Sequence, residues 1–133
     1  MSYSIIAAEG DSKLIRTHYS GGVDMSDMRN AIQAVLLMVG NSDATMYNIL
    51  TDFTRVESWR ATTQELEELG RVLIPPGPSI RIARSALVAP QNHICRDLRA
   101  WVSETESLPF PRLIFRNMDA AMRWLDEPFD PVA

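Results

Sequence analysis

Apolar and polar positions change period several times along this chain, and each change marks an element. Tyr3 to Ala8 and Leu14 to Tyr19 read as strands, the second with Ile15, Thr17 and Tyr19 on one face and Leu14, Arg16 and His18 on the other. Glu9-Gly10-Asp11-Ser12 between them has the composition of a hairpin turn. After Ser20-Gly21-Gly22 the period becomes helical. Met25, Met28, Ile32, Val35, Leu36 and Val39 form a stripe, Asp24 or Ser26 can cap its start, and Gly40-Asn41 ends it. Because Leu36, Leu37, Met38 and Val39 are consecutive, the late turns of this helix are expected to be covered on more than one side.

Met46 to Thr51 follows as a strand that is mostly apolar on both faces and hence central, with Asp52 at its carboxyl end. Thr62-Thr63-Gln64-Glu65 has capping-box spacing, in which Thr62 and Glu65 satisfy each other's free amides, and Leu66, Leu69, Val72 and Leu73 give that helix its buried face. Pro75-Pro76-Gly77-Pro78 breaks the chain, and Ile80 to Ala89 resumes it as a strand. A third helix from Asn92 buries Ile94, Cys95, Leu98, Trp101 and Val102. The Leu108-Pro109-Phe110-Pro111 loop then leads to a short strand, Arg112 to Phe115. In the closing helix Asn117 is the cap, Asp119 suits the positive helix start, Met118, Ala121, Met122 and Leu125 share a face, and Pro128 stops the run.

The order ββαβαβαβα predicts an α/β fold. Strands alternating with helices need right-handed crossovers, which lay helices on a single mixed, largely parallel sheet with the opening hairpin as its antiparallel edge. At 133 residues without a long flexible stretch, residues 1–133 are expected to form one domain.

Composition narrows the function classes. With 46% hydrophobic residues and 23% charged ones the chain reads as a soluble globular protein, and a net charge of −4 without a basic stripe gives no pull toward nucleic acid or an anionic bilayer. The first residues have no basic run before a short apolar stretch, so neither a signal peptide nor a membrane span is expected. Cys95 has no internal disulfide partner, which agrees with a reducing compartment, and the cytoplasm is the expected location.

No metal-binding cluster, phosphate loop or nucleophile elbow is present, so no catalytic residue, metal site or cofactor is assigned. His18 reads as a partly exposed strand residue, and His93 and Cys95, two apart on a helix, point away from each other. In parallel sheets ligands gather beyond the carboxyl ends of strands. That rule selects Asp52, Phe53, Thr54 and Arg55 after one strand, Pro90, Gln91 and Asn92 after the next, and Arg116 and Asn117 after the last.

The chain resembles the SpoIIAA-like family, relatives of the STAS domains and, more distantly, of the Sec14/CRAL-TRIO type. The likeness is carried by Gly21-Gly22-Val23-Asp24, by Tyr47 to Asp52, and by the Phe115 to Leu125 ending with its Ala-x-x-Trp-Leu pattern. It implies a STAS-like fold and a non-enzymatic regulatory module. Such a module would recognise a protein partner or a small amphipathic ligand at the carboxyl edge of the sheet. STAS relatives carry a phosphorylated serine after an acid, and the nearest match is Glu57-Ser58, which falls short of the usual spacing from Asp52. The resemblance thus implies Ser58 as the phosphorylation position. The alternatives are an enzyme with an unorthodox site using Asp52 or His93, and a homodimer formed through Leu37 and Met38.

Overall fold

In the computed structural model, which describes residues 3–7, 13–40, 46–73, 82–105 and 110–127, the elements follow the expected order. They are β1 (Tyr3–Ala7), β2 (Leu14–Val23), α1 (Met25–Gly40), β3 (Tyr47–Trp59), α2 (Thr63–Leu73), β4 (Ile82–Val88), α3 (Asn92–Glu104), β5 (Arg112–Phe115) and α4 (Met118–Asp126). The turn at Glu9 to Ser12, the Pro75 to Pro78 break and Pro128 lie outside the described residues.

The strands lie side by side in chain order, β1-β2-β3-β4-β5, with β1 antiparallel to β2 and the remaining pairs parallel. That order has a geometric consequence. Each right-handed crossover steps the same way along the sheet, so α1, α2 and α3 must all fall on one face. Ile15 and Tyr19 of β2, Ile49 and Phe53 of β3, and Leu87 of β4 point to that face and pack with Met28, Val35, Leu66, Leu69, Ile94 and Leu98 of the three helices. Among the described residues the other face is covered by α4, whose Ala121 and Leu125 pack on Leu50, Ala86 and Val88. Nine residues make a helix only about 14 Å long. It shields the β3–β5 side and leaves Ile6 of β1 54% exposed.

The caps behave as their chemistry requires. Asp24, rather than Ser26, caps α1, its Oδ1 accepting from the Asp27 amide at 3.0 Å while its own amide donates to Asp27 Oδ2 at 3.0 Å. At α2 the Glu65 amide donates to Thr62 Oγ1 at 3.1 Å and the Thr62 amide to Glu65 Oε1 at 3.3 Å. The far end of α4 is held by Arg84, which donates to the Trp124 and Glu127 carbonyls at 2.7 Å each and lies over the Trp124 ring. Asn48 of β3 donates to the Leu125 carbonyl at 3.2 Å. At the start of α4, Asn117 Oδ1 accepts from the Ala120 amide at 2.8 Å. Asn117→Ala is therefore expected to cost about 0.5–2 kcal/mol, read from urea unfolding midpoints.

Three expectations are corrected. β2 does not stop at Tyr19: it runs through Ser20-Gly21-Gly22 to Val23, because Gly21 takes φ 65° and register shifts absorb the irregularity. β3 does not end at Thr51 but continues to Trp59, so Asp52 lies mid-strand and Ser58, paired with Gly22, lies inside a strand. The polar run that looked like a terminus is a strand segment with one neighbour among the described residues, since β4 pairing ends at Asp52–Val88. Finally, Leu37 is 67% exposed, so the late turns of α1 are packed on one side among the described residues.

Candidate functional site

Parallel pairing of β2 with β3 sets His18 directly opposite Asp52, on the face that α4 leaves partly open. His18 Nδ1 lies 2.9 Å from Asp52 Oδ2, with the histidine side chain 31% exposed and the carboxylate only 10%. The other carboxylate oxygen accepts from the Thr54 amide at 2.9 Å. Asp52 is thus held on both sides, and an ionised carboxylate can only accept, so the proton of this bond belongs to His18 Nδ1. Thr54 and Arg55 are exposed and, with Ser20, complete an open depression around the pair.

Burial alone raises the Asp52 carboxyl, but the Thr54 amide and hydroxyl and the His18 ring favour the ionised form and leave it below the ordinary carboxylate value. A carboxyl depressed in the folded state stabilises the fold above its unfolded pKa and loses that contribution as pH falls through the folded one. Wild-type stability is expected to fall more steeply than that of Asp52→Asn between about pH 5 and pH 2. Urea titrations at stepped pH would check this, and parallel curves for the two proteins would show that the pair contributes nothing.

The residues expected at the carboxyl edge divide into two groups. Asp52, Val88 and Phe115 are register partners across β3, β4 and β5, so the ends of the last two strands lie level with Asp52. Beyond them Arg116 donates to Asn92 Oδ1 at 2.7 Å and to the Pro90 carbonyl at 3.0 Å, joining those two loops on the surface. Gln91 is engaged in structure: its Nε2 donates to the Phe53 and Val56 carbonyls at 2.9 and 3.2 Å, fastening the β4–α3 turn to the extension of β3. Asn117 has its side-chain oxygen on the α4 amide already described. The edge therefore offers His18, Asp52, Thr54 and Arg55 on one side and Asn92 and Arg116 about two strand spacings away, roughly 10 Å.

His18 is the member that sequence reasoning missed. The period of two had put it on the correct face; the missing fact was the register that sets it against Asp52. His93 is exposed on the first turn of α3 and Cys95 is buried, as their spacing implied. Among the described residues no group of three His, Cys, Asp or Glu side chains gathers in one place, and His18 with Asp52 supplies only two donors. Among them, too, no helix is long and apolar enough to cross a membrane.

No family model matches the sequence, and no curated protein matches it either. Among solved structures, the chain is similar to an uncharacterized protein of the DUF3478 family from Shewanella loihica, described as having a SpoIIAA-like fold. The TM-score is 0.60 at 12% identity, over 93% of this chain and 94% of that one. The match spans the whole arrangement of one mixed sheet with its helices, so the fold implied by the Gly21-Gly22, Tyr47–Asp52 and Phe115–Leu125 segments is the fold observed: the chain has a SpoIIAA-like fold.

Proposed function

We propose that this chain is a non-enzymatic, cytoplasmic regulatory module that recognises a protein partner through the carboxyl edge of its sheet. The observation that carries the reading is the His18–Asp52 pair on an open sheet face, flanked by exposed Thr54 and Arg55. Small ligands in open α/β sheets settle in the crevice where the strand order reverses. A sheet whose strands run in chain order has no such reversal. Its carboxyl edge is a surface, which suits a protein better than a small amphipathic molecule. Fixed charges and hydrogen-bonding groups on it favour specificity and orientation. The phosphorylation switch implied for Ser58 is no part of this reading, because a residue inside β3 lacks the free amides of a helix start.

The test compares capture from the native cell by the wild type and by Asp52→Ala plus Arg116→Ala, with melting curves to establish that the variant is folded. The expected result is a partner retained by the wild type and reduced at least tenfold in the variant; equal capture would remove the site.

The 2.9 Å His18–Asp52 contact favours a second reading, in which the oriented imidazole is a general base. Asp52 itself, held ionised, is then the orienting group and not the proton carrier. Hydrolysis of an activated ester above the rate of free imidazole, abolished by His18→Gln, would establish that reading over the first.

A further inference from the structure

Between the sheet and α1–α3 lies a cavity of about 100 Å³, on the opposite face of the sheet from His18 and Asp52. Its walls are almost wholly apolar, with Ile49, Leu87 and Val35 among them, but one end carries Arg112, Trp101 and Thr105. Two nitrogens at that end, Trp101 Nε1 and Arg112 Nε, are buried without a hydrogen-bond partner among the described residues. A buried donor left unpaired costs on the order of 1–3 kcal/mol, so two on the wall of one cavity call for an acceptor inside it.

The bonds Arg112 does make are structural. Its guanidinium donates to Thr105 Oγ1 and to the Val102 and Thr105 carbonyls, so it closes the carboxyl end of α3, where a cation is favoured. This accounts for both terminal nitrogens and leaves Nε and the Trp101 indole unexplained. None of the partners is a carboxylate, so among the described residues this half-buried cation has no countercharge.

We propose that the cavity is a binding site for a small monocarboxylate, its short apolar body against Ile49, Leu87 and Val35 and its carboxylate at Arg112 and Trp101. The carboxylate supplies the acceptor and the negative charge that neither Trp101 Nε1 nor Arg112 finds among the described residues. Size sets the class. A dry cavity of about 150 Å³ takes a benzene ring, so this one suits a body of a few carbons and not a long acyl chain. The inference is independent of the partner surface at the carboxyl edge.

Nitrogen-15 NMR of the three tryptophan indoles tests it, with the Trp101 resonance assigned through Trp101→Phe. Butyrate is the probe; butylamine and butanol at equal concentration and ionic strength are the comparisons. Butyrate is expected to shift the Trp101 resonance saturably while those of Trp59 and Trp124 stay in place, with butylamine and butanol at least tenfold weaker. Arg112→Gln is expected to weaken butyrate at least tenfold. Should that variant fail to fold, Ala31→Leu, which fills the cavity from α1 and keeps Arg112, is expected to abolish the shift. Asp52→Ala plus Arg116→Ala should leave it unchanged, which separates this site from the edge. Absence of a saturable shift, butylamine binding as well as butyrate, or an undiminished response in Ala31→Leu would each overturn the proposal.

Discussion

Phe53→Ala is expected to remove about 3–5 kcal/mol of stability. A domain of this size holds only about 5–15 kcal/mol in total, so the variant should be partly unfolded at room temperature. Phe53 is fully buried and sits at the centre of an aromatic chain. It stacks on Tyr19 with ring centroids 4.9 Å apart and planes 5° from parallel, and meets Trp59 edge to face at 5.7 Å and 86°. Tyr19 in turn touches Tyr3 of the edge strand. Truncation loses the transfer free energy of the ring and opens a hole between Tyr19 and Trp59 that neither ring can close alone. Phe53→Leu keeps most of the volume and should cost less than about 1.5 kcal/mol. Urea unfolding followed by far-UV circular dichroism would measure both, and an alanine loss below about 1 kcal/mol would contradict the central position given to this ring. The same backbone that buries Phe53 presents Asp52 on the other face, so the site depends on this packing.

How much of this was legible in the sequence depends on whether a feature is local. The capping residues Thr62, Glu65 and Asn117 act within one turn, and the structure gives each the bond its spacing implied. The alternation in β2 placed His18 with Leu14 and Arg16, and the order of elements set the sheet. Register is a different matter, because it is fixed by side chains that meet only after the crossover helix has formed. Nothing near His18 or Asp52 in the sequence says that they will be opposite. The same holds for the ends of β2 and β3. Gly21-Gly22 and the polar residues Asp52, Thr54 and Arg55 look like terminators when read singly. They continue as strand because Val23, Val56 and Trp59 are packed from above by helices that come later in the chain. Arg112 is read locally as the start of a strand; its burial at the end of α3 is a tertiary fact.

Asp97 shows the same limit at its largest energetic scale, since no motif singles it out and yet it joins three elements. It is 7% exposed on α3, and its Oδ2 accepts from Trp59 Nε1 at 2.9 Å. Oδ1 lies 3.4 Å from Thr63 Oγ1 and from Arg96 Nε. The carboxylate thus fastens the last residue of β3 and the first of α2 to the middle of α3. Asp97→Ala strands a buried indole donor and is expected to cost about 1.5–3 kcal/mol. Asp97→Asn keeps one acceptor and should cost less. The decisive measurement is the double-mutant cycle with Trp59→Phe. If the bond is what the carboxylate contributes, Asp97→Ala should cost at least about 0.5 kcal/mol less once the indole nitrogen is gone. Strict additivity would show that the Trp59–Asp97 bond adds nothing to stability. The outcome also bears on the edge surface, because Thr54 and Arg55 stand on the stretch of β3 whose far end Asp97 holds. Beyond Asp52 that stretch pairs, among the described residues, with β2, and Gln91 fastens one end of it and Asp97 the other. Loosening the Asp97 end should therefore weaken partner capture as well as stability, without touching any residue of the surface itself.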